Sequence, residues 1–279
     1  HPHQTRAFVT TSTASGLSAR RLAIGGAAAA GVFGLGVLGA TISEHRSPSI
    51  SMKTPVFPDY VRARLRETFT AFGAGLAVTA GTATVMWRSG LAYRVAAMSP
   101  IASLVLFAGG GIATLMAVYA VPRENRVLKA AAYAGFTALI GASLSPLAAV
   151  GGPIVMRAAA YTGGMLGAMS LVAANSPSDE FLWMGGPLAM GLGVVVVSSL
   201  GSAFLPAGAA ASTMMNISMY GGAALFSAFM LYDASVLMNR AAVLPDDKFD
   251  PIESCLGLYL DTINLFTRLV FILSNNKKR

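Results

Sequence analysis

Runs of about twenty apolar residues recur along the chain, and only short polar stretches part them: VPRENR at 121–126, NSPSDE at 175–180, LPAG at 205–208. Twenty residues of helix reach across the ~30 Å hydrocarbon core of a bilayer. The stretches between are too short to hold a soluble domain. Charged residues make up 11% of the 279, against the ~25% a soluble domain carries. The runs are continuous and do not alternate residue by residue, which argues against a β-barrel. The chain reads as an all-α polytopic membrane protein.

Eight spans are expected. The first, 22–42, is LAIGGAAAAGVFGLGVLGATI, with six glycines and six alanines, and it stands apart from the rest. Ahead of it, residues 1–21 form a basic, Ser/Thr-rich segment; behind it, 43–67 make a polar, Pro-containing linker with a basic amphipathic start, VRARLRETF. Seven further spans, near 68–87, 97–121, 128–148, 153–174, 182–205, 214–239 and 252–274, make a core over 68–279. A chain with 30 glycines suits helices that pack closely through small residues. The repeated GGP at 151–153 and 185–187 opens two spans, where proline serves a helix's first turn. Lys and Arg divide almost evenly between the two faces, so orientation stays open.

Composition also removes several function classes. The net charge of +8 comes from basic residues at the ends of apolar runs, where anionic lipid headgroups lie; nucleic acid is not an expected partner. The three histidines, His1, His3 and His45, fall outside the apolar runs, which weakens any zinc site or intramembrane histidine base. A lone Cys255 excludes a disulfide within the chain. The G-x-G-x-x-G at Gly34, Gly36 and Gly39 lies inside an apolar span with no strand before it, so no dinucleotide cofactor is implied. No cofactor and no enzymatic activity are expected. The first 21 residues contain arginines and no acid, a composition of organelle-targeting segments, most simply mitochondrial.

Two acids break the apolar pattern. Asp233 sits in MLYDASVLM and Asp261 in LYLDTINLF. An ionisable group at membrane depth marks, by default, an ion path, a proton relay or a partner. The plainer alternative is a carboxyl that only hydrogen-bonds a neighbouring helix. Asp233 lies several residues before one span ends and Asp261 about nine after the next begins, which places both roughly 10–14 Å from the same face. Consecutive helices joined by a short loop run antiparallel, so the two carboxyls can meet. Two carboxylates in a low dielectric do not both ionise cheaply, and a shared proton is expected. Such a pair attracts cations when open and loses that attraction when protonated. Calcium seeks 6–8 oxygens, more than two aspartates provide, so transient occupancy by a passing calcium ion is expected rather than storage. Asn264 and Arg268 share a helix face with Asp261 at +3 and +7. Arg268 either pairs with a carboxylate or extends its stem to the interface.

KFDPIESCLGLYLDTINLFTR, preceded by SMYGGAALFSAFMLYD, resembles the transmembrane Bax inhibitor motif family. YVRARLRETFTAFGAGLAVTA, GGPIVMRAAAYTGG, SPSDEFLWMGGPLAMGLG and VVSSLGSAFLP extend the resemblance from about residue 57 to the end. Within the family the chain is most similar to the mitochondrial inner-membrane member, which carries an extra helix before its seven-helix core. The resemblance implies a pH-sensitive aspartate pair, falling on Asp233 and Asp261, and calcium leak or calcium/proton exchange across that membrane. It also implies roles in cristae organisation and contacts with inner-membrane protease or respiratory complexes. Relatives with a bacterial-type core place an arginine near the end of the second core helix against the aspartates; Arg123 and Arg126 lie nearby, though the surrounding motif differs. Two functions therefore stand side by side: proton-linked calcium transport, or an inner-membrane scaffold that acts through its contacts.

Overall fold

The computed structural model describes residues 57–176, 180–206 and 208–276. The 1–21 segment, the 22–42 span and the KKR tail lie outside them. Every regular element among the described residues is helical. We number the long ones α1 (Asp59–Arg88), α2 (Ile101–Ala120), α3 (Arg126–Leu144), α4 (Gly152–Asn175), α5 (Gly185–Phe204), α6 (Ala209–Val243) and α7 (Pro251–Asn276). Six, all except α4, are long and apolar enough to cross a membrane. α4 is long enough at 24 residues, but Arg157, Tyr161 and Thr162 dilute its apolar character. α1 starts at Asp59, so the basic stretch expected in the linker is the opening of the first core helix. Its 30 residues span about 45 Å, roughly 15 Å more than the hydrocarbon core.

Local chemistry fixes the ends. Gly151, at φ 110°, makes the left-handed turn into α4, and Pro153 follows in its first turn, as the GGP punctuation suggested. Asn125 caps α3, its Oδ1 accepting from the Leu128 N–H at 3.2 Å. Asp250 caps α7, accepting from the Ile252 and Glu253 N–H groups at 2.8 and 3.1 Å. Pro251 occupies the first helical position, where its missing N–H is no loss.

Packing is that of a chain solvated by lipid. Large apolar residues face outward: Val127 is 82% exposed, Trp183 72% and Met190 71%. Hydroxyls turn inward, and Thr79, Thr137, Thr162, Ser227 and Ser235 each donate to a carbonyl one turn back, as groups removed from water require. α7 is the central helix, packed against α1, α4 and α6. Its Leu256, Leu258, Tyr259 and Leu265 are sealed off together with Phe72, Phe136, Leu166 and Met230. Tyr259 and Thr79 hydroxyls meet at 2.6 Å, and Thr79 also reaches the Thr137 carbonyl at 3.1 Å. That hydroxyl knot ties α1, α3 and α7 at one level.

A set of charges binds the helix ends on the face where α6 turns into α7. Lys129 is buried and directs its Nζ at the Val121 carbonyl (3.1 Å), the Asp250 carboxylate (2.8 Å) and the Glu253 carboxylate. Arg64, also buried, donates to the Ala241 and Leu244 carbonyls at 2.8 and 2.7 Å and pairs with Asp246. Its guanidinium lies 5.0 Å from the centre of the Phe249 ring. Arg64 is thus a structural cation, not the headgroup contact expected of its position in the sequence. Lys129→Met should strand two acids at the α3–α7 junction, and removing one partner of a buried pair costs about 3–5 kcal/mol. The expected result is a clearly lower unfolding temperature in detergent. Lys248→Met, on an exposed turn residue outside these pairs, should leave it unchanged.

Candidate functional site

The antiparallel α6–α7 hairpin brings the two intramembrane acids together. Asp233 lies ten residues before the end of α6 and Asp261 ten after the start of α7. Both are therefore about 15 Å in from the loop face, the middle of a ~30 Å core. The two carboxyls approach within hydrogen-bonding reach of each other. Asp261 is 5% exposed and its Oδ2 meets no donor. No ion pair among the described residues involves either acid. Arg240, two turns nearer the loop on α6, is the cation whose field reaches Asp233.

Gly257 makes the approach possible. It sits on α7 one turn before Asp261, directly against the Asp233 side chain. A Cβ there would come within 2.9 Å of the Asp233 Cγ and closer still to its Oδ2. In a chain with 30 glycines, nothing in the sequence marked this one.

The proposed supporting residues do other work. Asn264 turns back on its own helix, its Nδ2 donating to the Leu260 carbonyl at 2.9 Å. Arg268 neither pairs with a carboxylate nor extends outward. Its Nη1 donates to the Ser218 carbonyl at 2.5 Å and the Ser218 hydroxyl at 3.0 Å, and its Cζ stacks 5.1 Å from the Phe226 ring. The reason is local. Residues Ile217–Gly221 form a π-helical turn within α6, and such widened turns leave carbonyls open to outside donors. Gly222 leaves room for the guanidinium, since a Cβ there would lie 2.5 Å from its Cζ. Ser218 in turn meets Ser199 of α5 at 2.6 Å, so Arg268 knits α5, α6 and α7 together. Arg123 donates to the Phe249 carbonyl at 2.9 Å and to that of Asp246, on the loop face and well away from the pair. Arg126 is exposed at the start of α3. Neither arginine is brought to the aspartates.

Chemically, the pair is a concentration of acidic oxygens with no ion-pair partner among the described residues. Two carboxylates offer at most four oxygens, and among the described residues no group of three or more His, Cys, Asp or Glu gathers to complete a cage. A proton shared between the two would satisfy such a pair, whereas a cation in its place would need further oxygens.

The family model described as inhibitor of apoptosis-promoting Bax1 matches residues 61–278. The chain belongs to the Bax inhibitor family. Among its relatives, growth hormone-inducible transmembrane protein of Rattus norvegicus is 36% identical across 81% of this chain and 67% of its own length. Bax inhibitor 1 of Rattus norvegicus is 29% identical across 62% of this chain and 73% of that protein. An uncharacterized protein of Deinococcus radiodurans is 31% identical across 77% and 91%. The family assignment covers α1 to α7, and with them both aspartates, and agrees with the multi-pass helical fold.

Gly257→Ala tests the geometry of the seam. Forcing a methyl against a packed neighbour costs about 1–3 kcal/mol. A lower unfolding temperature in detergent is expected. Gly186→Ala, at a helical glycine with nothing within 4 Å of its added Cβ, should show no loss.

Proposed function

We propose that this Bax inhibitor-family chain lets calcium cross its membrane under the control of protons, with Asp233 and Asp261 as both switch and cation site. The supporting observation is one juxtaposition: two carboxyls from consecutive helices, facing each other at mid-membrane depth. Protonated, the pair is neutral and the helices close on it. Deprotonated, it repels itself and draws a divalent cation, which passes on because too few protein oxygens hold it. Exchange and pH-gated leak share this site and differ in whether each calcium obliges a proton to return. The activity is transport rather than catalysis. We further infer that the membrane is the mitochondrial inner one. The basic, acid-free composition of residues 1–21 and the sequence resemblance support that location.

The scaffold reading assigns the work to contacts with cristae-shaping, protease or respiratory proteins, and needs no ion path. The two separate on the carboxyls. In liposomes holding the purified chain, calcium flux should follow an imposed pH gradient and fall as the medium is made more acidic, because protons then occupy the pair. Asp233→Asn and Asp261→Asn should each reduce flux to that of protein-free liposomes. Equal, negligible flux in the unaltered chain and both variants would sink the transport reading and leave the scaffold.

A further inference from the structure

A groove of about 490 Å³ runs along the outside of the bundle between α1 and α3, with Ile252 of α7 also lining it. These helices are parallel, both starting on the face where α6 turns into α7, so the groove has a definite direction. It begins at Arg66, Glu67 and Arg126 and ends near Val78 and Thr137. Twelve residues of α1 separate its ends, about 18 Å, the depth of one leaflet from headgroup to mid-plane. Its volume is that of a ligand site.

The walls are alanines from both helices, with Ala74 and Ala130 exposed, so the groove opens sideways into lipid. The Tyr133 ring forms its floor. The hydroxyls along it are already engaged: Thr70 with the Arg66 carbonyl at 2.7 Å, Thr137 with the Tyr133 carbonyl at 3.0 Å, and the Tyr133 hydroxyl with the Cys255 thiol at 3.6 Å. What remains is an apolar slot with a charged mouth. Arg66 and Arg126 are both exposed and neither is in an ion pair among the described residues, while Glu67 is the one acid at the rim.

We propose that the groove holds one anionic phospholipid, its phosphate between Arg66 and Arg126 and an acyl chain laid against Ala74 and Tyr133. Charge complementarity decides the occupant. The chain's own 22–42 span is apolar and has no acidic residue, so it answers the slot but not the two guanidinium groups. A zwitterionic lipid answers the slot and cancels the phosphate with its own cation.

The test is native mass spectrometry of the purified full chain in micelles mixed with equal dioleoyl phosphatidylglycerol and dioleoyl phosphatidylcholine. One phosphatidylglycerol should be retained in preference to phosphatidylcholine, each arginine contributing about fivefold. Arg66→Ala/Arg126→Ala should abolish the preference. Ala74→Phe, which fills the slot and leaves the charges alone, should lose the lipid altogether. It also decides the matter if the double variant does not give a monodisperse protein. Equal retention of the two lipids would overturn the proposal, as would a phosphatidylglycerol preference that survives both variants. So would a cross-link between Ala74→Cys and a cysteine placed within 22–42, in a Cys255→Ser background, because it would give the groove to that segment.

Discussion

Two carboxyl groups meeting at mid-membrane depth set the terms for the whole α6–α7 hairpin. A lone buried carboxylate in hydrocarbon is expensive. A second one beside it is worse unless a proton or a cation comes between them. Either would relieve that cost, and the backbone is shaped to permit the close approach. Gly257 removes the side chain that would hold Asp233 away, and α7, which carries Asp261, is enclosed by α1, α4 and α6.

The remaining charges inside the bundle are committed to architecture. Lys129 and Arg64 fasten the helix ends on the loop face through carboxylates and carbonyls. Arg268 fills the open carbonyl of the π turn in α6. Because each of these cations is already engaged, none is available to neutralise the aspartates. That separation of charges leaves the two acids without an ion-pair partner among the described residues. It also divides the molecule by depth: a rigid polar fastening at one face, hydroxyl knots such as Thr79–Tyr259 in the interior, and a single acidic point between α6 and α7.

Much of this was legible in the sequence for one reason. Apolar runs of membrane length leave few positions for polar groups, so Asp233 and Asp261 stood out, and counting rises from the hairpin put them level. What stayed hidden was anything set by helix rotation or backbone irregularity. Asn264 and Arg268 share a face with Asp261 by spacing, yet Asn264 satisfies itself on its own helix and Arg268 follows a π turn that no sequence periodicity announces. Lys129, Asp250 and Glu253 looked like ordinary loop-end charges, because their partners are 121 or more positions away in sequence. Gly257 was hidden among its many fellows.

The claim on which the rest depends is that Asp233 and Asp261 interact directly, and a double-mutant cycle measures it. Unfolding free energies would be determined in detergent for the unaltered chain, Asp233→Asn, Asp261→Asn and the double variant. Directly interacting groups are expected to be non-additive by about 0.5–3 kcal/mol, since the first substitution already removes their mutual interaction and leaves the second little to change. Effects that sum to within about 0.3–0.5 kcal/mol would mean that the two carboxyls act independently, and the switch at the seam would fall with them.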